Sequence, residues 1–171
     1  RFACEIVSAI RERVGPDYPI IFRFSQWKQQ DYNARLCDTP EELDAFLKPL
    51  VNAGVDIFHC STRRFWEPEF EGSDLNLAGW TKKLTGKPVI TVGSVGLNAS
   101  FIDEDKRDMV DASNVATASI DELGKRMADG EFDMVAIGRA LLQDPQWVVK
   151  IKQGRYDELQ DYSKAALKEL V

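Results

Sequence analysis

The sequence predicts an α/β fold with a parallel sheet, arranged as part of a (β/α)8 barrel. Four short apolar runs are separated by stretches with helical three-and-four spacing, and the helical stretches end at glycine just before a strand. A further observation separates the barrel from an open doubly wound sheet. The runs at 88–96 (PVITVGSVG) and 133–139 (DMVAIGR) both stop at glycine at their C-terminal ends, where the last two strands of many barrels bind phosphate. A dinucleotide-binding unit would show GxGxxG after its first strand, and GSVG has only half that spacing.

The first helix places Phe2, Ile6 and Ile10 beside Ala3, Val7 and Val14, an apolar stripe expected to be buried, and Gly15-Pro16 stops it. A strand follows at 19–25, PIIFRFS. Thr39-Pro40-Glu41-Glu42 then reads as a helix start: Thr39 caps, Pro40 takes the first helical position and Glu42 completes a capping box. Leu43, Phe46, Leu47, Leu50 and Val51 form its inner face, while Pro49 is expected to kink or shorten it. Gly54 ends that helix, and 55–60, VDIFHC, is apolar enough to be covered on both faces. A long loop leads to a helix carrying Leu77, Trp80 and Leu84, closed by Gly86 before the strand at 88–92. Ser119 with Glu122 predicts another capping box, opening a helix whose Leu123 and Met127 face inward and which stops at Gly130. The strand at 133–137 is followed by Asp144-Pro145 as cap and first position of a helix through Trp147, Val148 and Ile151. Leu159, Tyr162, Leu167 and Leu170 mark a terminal helix, and the charged run at 103–111 reads as a solvated segment.

A chain of 171 residues, 44% apolar and 29% charged, suits one soluble globular domain or half of a larger one, spanning 1–171. A net charge of -6 leaves no basic footprint for nucleic acid or an anionic membrane, so any anion site is local. No apolar run approaches the roughly 20 residues needed to cross a bilayer. Cys4, Cys37 and Cys60 make neither a CxxC pair nor an even disulfide set, which suits a reducing cytoplasm, and a single histidine disfavours a zinc site.

Several residues carry possible chemistry. Gly93, Ser94, Val95 and Gly96 would turn backbone N–H groups and one hydroxyl toward phosphate oxygens; the alternative is plain turn chemistry. Gly138 and Arg139 would add a forked cation at a second strand end; the alternative for Arg139 is a surface salt bridge. Arg23 sits mid-strand between Phe22 and Phe24, so alternation puts it on the opposite face. A charge there needs an internal carboxylate or a bound anion. His59 and Cys60 end a strand, with His59 read as structural in the absence of a partner. Arg63, Arg64, Phe65 and Trp66 follow at the same mouth, suited to a planar anionic ligand or a partner, or else packed under the loop.

The motifs FRFS at 22–25, PVITVGSVG at 88–96 and DMVAIGRALLQDP at 133–145 resemble the C-terminal half of the Old Yellow Enzyme family, NADH:flavin oxidoreductases built on an FMN-binding barrel. The resemblance implies that the four strands are the fifth to eighth of the barrel. It implies FMN as cofactor and NADH or NADPH as reductant, with reduction of an activated alkene of the enone type. By that likeness Arg23 matches the arginine beside the flavin pyrimidine edge, Gly93 to Gly96 the phosphate loop, and Gly138 with Arg139 the second phosphate contact. Phe65 and Trp66 match the variable loop near the substrate. The groups that hold the substrate carbonyl and donate a proton precede Arg1 in the family, so no catalytic residue is assigned. The chain alone is expected to lack turnover and to pair with its missing half or with itself through open sheet edges.

Two other readings stand beside this one. A phosphosugar isomerase or lyase barrel also grips phosphate after strands seven and eight, though it would need a base or a Schiff-base lysine, and no strand-interior lysine is present. A non-catalytic half-barrel acting as an assembly module is the other.

Overall fold

The computed structural model describes residues 1–28, 30–31, 33–97 and 116–168. Four strands, β1 (Ile21–Ser25), β2 (Ile57–Ser61), β3 (Val89–Val92) and β4 (Met134–Val135), form one parallel sheet in the order β1-β2-β3-β4. Helices α1 (Phe2–Val14), α2 (Pro40–Ala53), α3 (Leu77–Thr85) and α4 (Ala116–Ala128) alternate with them, and the short α5 (Arg139–Gln143) and α6 (Trp147–Lys152) follow β4. This is the repeated βα pattern read from the sequence, and it gives the expected parallel α/β architecture.

Strand alternation separates two chemistries. Phe24, Phe58, Cys60 and Val89 point to the helical side, where they pack with Leu43, Leu47 and Leu50 of α2 and Leu77 and Ala78 of α3. Phe58 makes edge-on contacts with Phe22 and Phe24, and Phe46 joins them from α2. The opposite face of β1 and β2 carries Arg23, His59 and Ser61, paired in register as Arg23 with His59 and Ser25 with Ser61. Burial along β2 alternates, with Phe58 and Cys60 buried and Ile57, His59 and Ser61 half-buried, so the strand is not covered on both faces as its composition suggested.

Two carboxylates brace the starts of neighbouring strands in the same way. Asp56, just before β2, accepts from the Ile20 N–H at 2.7 Å and pairs with Arg11 of α1. Asp133, just before β4, accepts from the Val89 N–H at 2.9 Å and from Lys82 Nζ at 2.8 Å. Each ties a strand entrance to its neighbour and to a covering helix.

The capping expectation at α2 holds with one change. Thr39 Oγ1 accepts from the Glu42 N–H at 3.2 Å, but the Glu42 carboxylate reaches past Thr39 to the Asp38 N–H at 2.7 Å. Pro49 neither breaks nor shortens α2, which runs unbroken to Ala53. The α1 stripe is not buried: Phe2 is 76% exposed, Ile6, Ile10 and Val14 are exposed as well, and only Val7 is buried. The α1 helix packs on α2 through the Val7 side, which leaves the apolar row on its other flank uncovered among the described residues.

Further along, Ser119 lies inside α4 rather than capping it, and Met127 is exposed while Leu123 packs inward. β4 spans two residues rather than five, although the Ala136 N–H still donates to the Thr91 carbonyl at 2.8 Å. Gln146, not Asp144, occupies the cap position of α6; buried Asp144 accepts from the Gln146 N–H at 3.0 Å and pairs with Lys150 at 2.7 Å. The expected terminal helix is replaced by two 3-10 turns, Tyr156–Glu158 and Lys164–Leu167, while Leu170 and the run at 103–111 lie outside the described residues.

Candidate cofactor site

The C-terminal ends of the strands enclose a cavity of about 600 Å³. The two glycine-bearing tips meet there: Gly93, Ser94 and Val95 line it from the end of β3, and Gly138 and Arg139 from the end of β4. Arg23 lines it from β1. The sequence sets these residues on three separate strands; the fold brings six of the seven into one space. Gly96 is the exception. Its N–H donates to Ser119 Oγ at 3.4 Å and its Cα lies against the indole of Trp147, where an added Cβ would sit 2.9 Å from Cζ2. Gly96 therefore shapes the loop from behind.

The glycine loop is laced to the loop after β2. A Cβ on Gly93 would lie 2.6 Å from Thr62 Oγ1 and 2.7 Å from the Thr62 carbonyl, so only glycine allows this approach. The Gly93 carbonyl accepts from the Phe65 N–H at 3.1 Å, Ser94 Oγ donates to the Arg63 carbonyl at 3.0 Å, and Thr62 Oγ1 donates to the Val92 carbonyl at 2.7 Å. Ser94 adopts a left-handed backbone with φ 49°, an uncommon conformation for a residue with a side chain and one often found where a loop is shaped for function.

Arg23 has no carboxylate partner among the described residues, so the internal salt bridge that the sequence leaves open is not what holds it. Its Nη1 lies 3.3 Å from His59 Nε2, and its Nη2 donates to Ser61 Oγ at 3.3 Å. Burial, followed by the charge of Arg23, holds the His59 pKa below the ordinary imidazole range. Arg139 sits with its guanidinium carbon 5.7 Å from the centre of the Tyr162 ring, a cation–π arrangement that fixes it beside the cavity.

Among the described residues, the lining of this cavity includes three arginines, Arg23, Arg63 and Arg139, and no aspartate or glutamate. Its volume falls within the roughly 300–1,000 Å³ of small-molecule and cofactor sites. The composition left room for an anion site only if it is local, and this donor set, confined to one cavity, has the chemistry to suit a phosphorylated cofactor.

Phe65 and Trp66 are placed differently from expectation. Phe65 is fully buried and packs with Val95, Ala140 and Trp147, with the Trp66 ring edge-on at 5.2 Å, and neither residue lines the cavity. The arginine-rich loop holds its aromatics underneath, as the second of the two readings has it. Cys60 is also removed from the site: it points into the helical core, bonds to Thr81, and burial pushes its thiol pKa up to about 12, so it is no nucleophile. The sequence reading misses Trp27, two residues past β1, Ser61, the last residue of β2, and Thr62, which follows it; all three line the cavity. Their position at strand C-terminal ends, for Ser61 and Thr62 directly after His59 and Cys60, is the signal that could have found them. Among the described residues no cluster of His, Cys, Asp and Glu is arranged to hold a metal ion, and no helix is long and apolar enough to cross a membrane.

No protein-family profile matches the chain. Among characterised proteins, it is 36% identical over 167 residues to an NADH oxidase from Thermoanaerobacter brockii, covering 93% of this chain and 22% of that protein. It is 29% identical over 178 residues to a cinnamate reductase from Clostridium sporogenes, covering 93% of this chain and 23% of that one. The chain thus spans under a quarter of the length of these two relatives. Among solved structures, morphinone reductase in complex with tetrahydroNAD superposes with a TM-score of 0.61 at 16% identity, over 97% of this chain and 36% of that one. An Old Yellow Enzyme homologue from Zymomonas mobilis gives 0.59 at 8% identity, over 98% and 42%. At these identities the structural likeness is one of fold. In sequence the chain is thus similar to part of an NADH oxidase and of a cinnamate reductase, and its fold is that of part of the morphinone reductase and Old Yellow Enzyme homologue structures, in line with the resemblance its motifs carry.

Proposed function

We propose that this chain is the FMN-binding part of a nicotinamide-dependent flavin oxidoreductase that reduces activated alkenes. The observation that carries the reading is the convergence of the Gly93–Val95 and Gly138–Arg139 strand ends on one arginine-lined cavity, with Arg23 also at its wall. In this reading the two glycine-bearing ends and Arg139 hold the cofactor phosphate, and Arg23 lies along the ring edge. A bound flavin supplies hydride transfer; Arg23 places a permanent charge where the reduced ring becomes negative, oriented beforehand by His59 and Ser61. FMN is the flavin that the motif resemblance implies for these two strand ends. Either NADH or NADPH serves as reductant, an enone-type molecule as acceptor, and the cytoplasm as location.

The carbonyl-binding and proton-donating groups are proposed to lie on barrel strands other than these four, so the chain alone would bind FMN without turning over an enone. Self-association or pairing with the remaining strands would cover the outer edges of β1 and β4.

The test is a titration of FMN fluorescence with the full chain. Quenching that weakens about tenfold or more in Arg139→Ala, where a charge-assisted contact to phosphate is removed, supports the reading. Wild-type quenching that is absent, or equal in Arg139→Ala and Arg23→Leu, defeats it.

A further inference from the structure

A second, polar recess of about 310 Å³ adjoins the cofactor cavity, and Trp27, Ser61, Thr62 and Arg63 line both. Most of its remaining lining comes from two loops, with Leu77 of α3 beside them. The loop after β1 contributes Asn33 and Arg35, and the loop after β2 contributes Arg64, Glu67 and Glu69.

The charge of the combined space is lopsided. Among the described residues, five arginines, Arg23, Arg35, Arg63, Arg64 and Arg139, line the two recesses against two carboxylates, in a chain whose net charge is -6. Both carboxylates are already engaged. Glu69 accepts from Gln26 Nε2 at 3.0 Å and pairs with Arg35; Glu67 pairs with Arg64 Nη1 at 2.7 Å. Arg35 is held more fully, with Nη2 also donating to the Glu69 carbonyl at 2.9 Å and Nε 3.7 Å from Asp38, whereas the Arg64–Glu67 pair runs through Nη1; a guanidinium carries five N–H donors, so such a pair leaves Arg64 capacity for another acceptor. The ring of Phe70 lies 5.6 Å from the Arg35 guanidinium carbon and, together with Glu69, keeps that side chain in place.

Neither Arg35 nor Arg64 is needed by the proposed phosphate grip, which lies at the ends of β3 and β4. The recess instead sits at the ends of β1 and β2, beside Arg23. A polar, arginine-walled annex open to a cofactor cavity has the shape of a site for one end of a second ligand.

We propose that this recess holds the anionic end, a carboxylate or phosphate, of the molecule that reacts at the cofactor, whose reactive end passes Trp27, Ser61 and Thr62 into the first cavity. The proposal rests on the flavin reading of that cavity. Two sources share this chemistry: an acceptor bearing a carboxylate, and the pyrophosphate of the nicotinamide dinucleotide.

The experiment uses the full chain loaded with FMN, titrated by calorimetry with benzoate, with its uncharged counterpart benzamide, and with NAD+. Benzoate binding about tenfold tighter than benzamide, with the preference lost in Arg64→Gln and kept in Arg64→Lys, assigns the recess to an acidic acceptor. A tenfold loss of NAD+ affinity in Arg64→Gln without any preference for benzoate assigns it to the dinucleotide. FMN affinity is expected to be the same in all three proteins. Equal binding of benzoate and benzamide, together with an NAD+ affinity indifferent to Arg64→Gln, overturns the proposal. If the chain takes up no FMN, the flavin reading fails by itself; inorganic pyrophosphate titrated into the cofactor-free chain and its Arg64→Gln variant then decides the recess on the same tenfold criterion.

Discussion

The guanidinium of Arg23 rests against a neutral imidazole instead of a carboxylate, with Nη1 3.3 Å from Nε2 of His59, its register partner on the adjoining strand. A guanidinium only donates, so Nε2 accepts and the ring proton sits on Nδ1. The charge of Arg23 is therefore oriented without being cancelled, which is what an anionic ligand edge requires.

Burial first, and Arg23 second, depress the His59 pKa, and the sign of the consequence is fixed. The unfolded chain takes up a proton near the ordinary histidine pKa of about 6.5, the folded chain only at lower pH. This contribution to stability is full above that value and is lost as pH falls through the folded pKa. Denaturant unfolding between pH 7.5 and 5 should show the slope in the wild type and a flatter one in His59→Gln. In Arg23→Leu the imidazole resonances should titrate at higher pH; an unchanged midpoint would contradict the pairing.

Asp56 acts at more acidic pH. The Ile20 N–H, followed by Arg11, holds its carboxyl below the usual carboxylate range despite partial burial. Its stabilising contribution is present above the unfolded value of about 3.9 and disappears as pH falls through the folded one. Asp56→Asn should lower stability at pH 7, with the deficit shrinking as the pH falls below the unfolded value and vanishing once it has passed through the folded one. A deficit that persisted in acid would mean that the side chain acts through shape rather than charge.

Two glycines should respond oppositely to the same substitution. Gly96 combines φ +70° with a Trp147 ring carbon only 2.9 Å from the point an alanine methyl would occupy, so Gly96→Ala should cost about 1–3 kcal/mol and loosen the loop it supports. Gly124 sits within α4 with nothing within 4 Å of its Cβ position among the described residues, and Gly124→Ala should stabilise by about 0.5–1 kcal/mol. Thermal melts of the two variants check both signs.

The exposed row Phe2, Ile6, Ile10 and Val14 on α1, with Ile21 at the outer edge of β1, is expected to drive association of the isolated chain. Light scattering at micromolar concentration should give a mass above that of one chain, reduced toward 19.3 kDa by Ile6→Lys with Ile10→Lys. A single-chain mass for the wild type would show that this row needs no partner.

The parallel class and the two glycine-bearing strand ends were legible from local pattern, period-two alternation, strand-ending glycines and helix stops, whereas the place of the strands in a barrel and of Arg23 beside Gly93 and Arg139 came through the motif resemblance. What escaped depends on neighbours remote in sequence. Pro49 does not interrupt α2 because the surrounding packing of Leu47 and Leu50 outweighs a local preference. Phe65 looked exposed beside two arginines, but Val95 and Trp147 close over it from 30 and 82 residues away along the numbering. The annex at Arg35 and Arg64 joins loops separated by a whole helix, and neither loop carries a motif that names the other.

Because strands adjacent in the chain are adjacent in the sheet, every βα unit finds its partner in the unit just synthesised. Each pairing closes only the stretch between neighbouring strands, so no encounter between the two ends of the chain has to come first. The polypeptide can thus organise in the direction of translation, with the Asp56 brace set before β3 exists, and the ligand-binding end completed only when the last of the four strands has emerged.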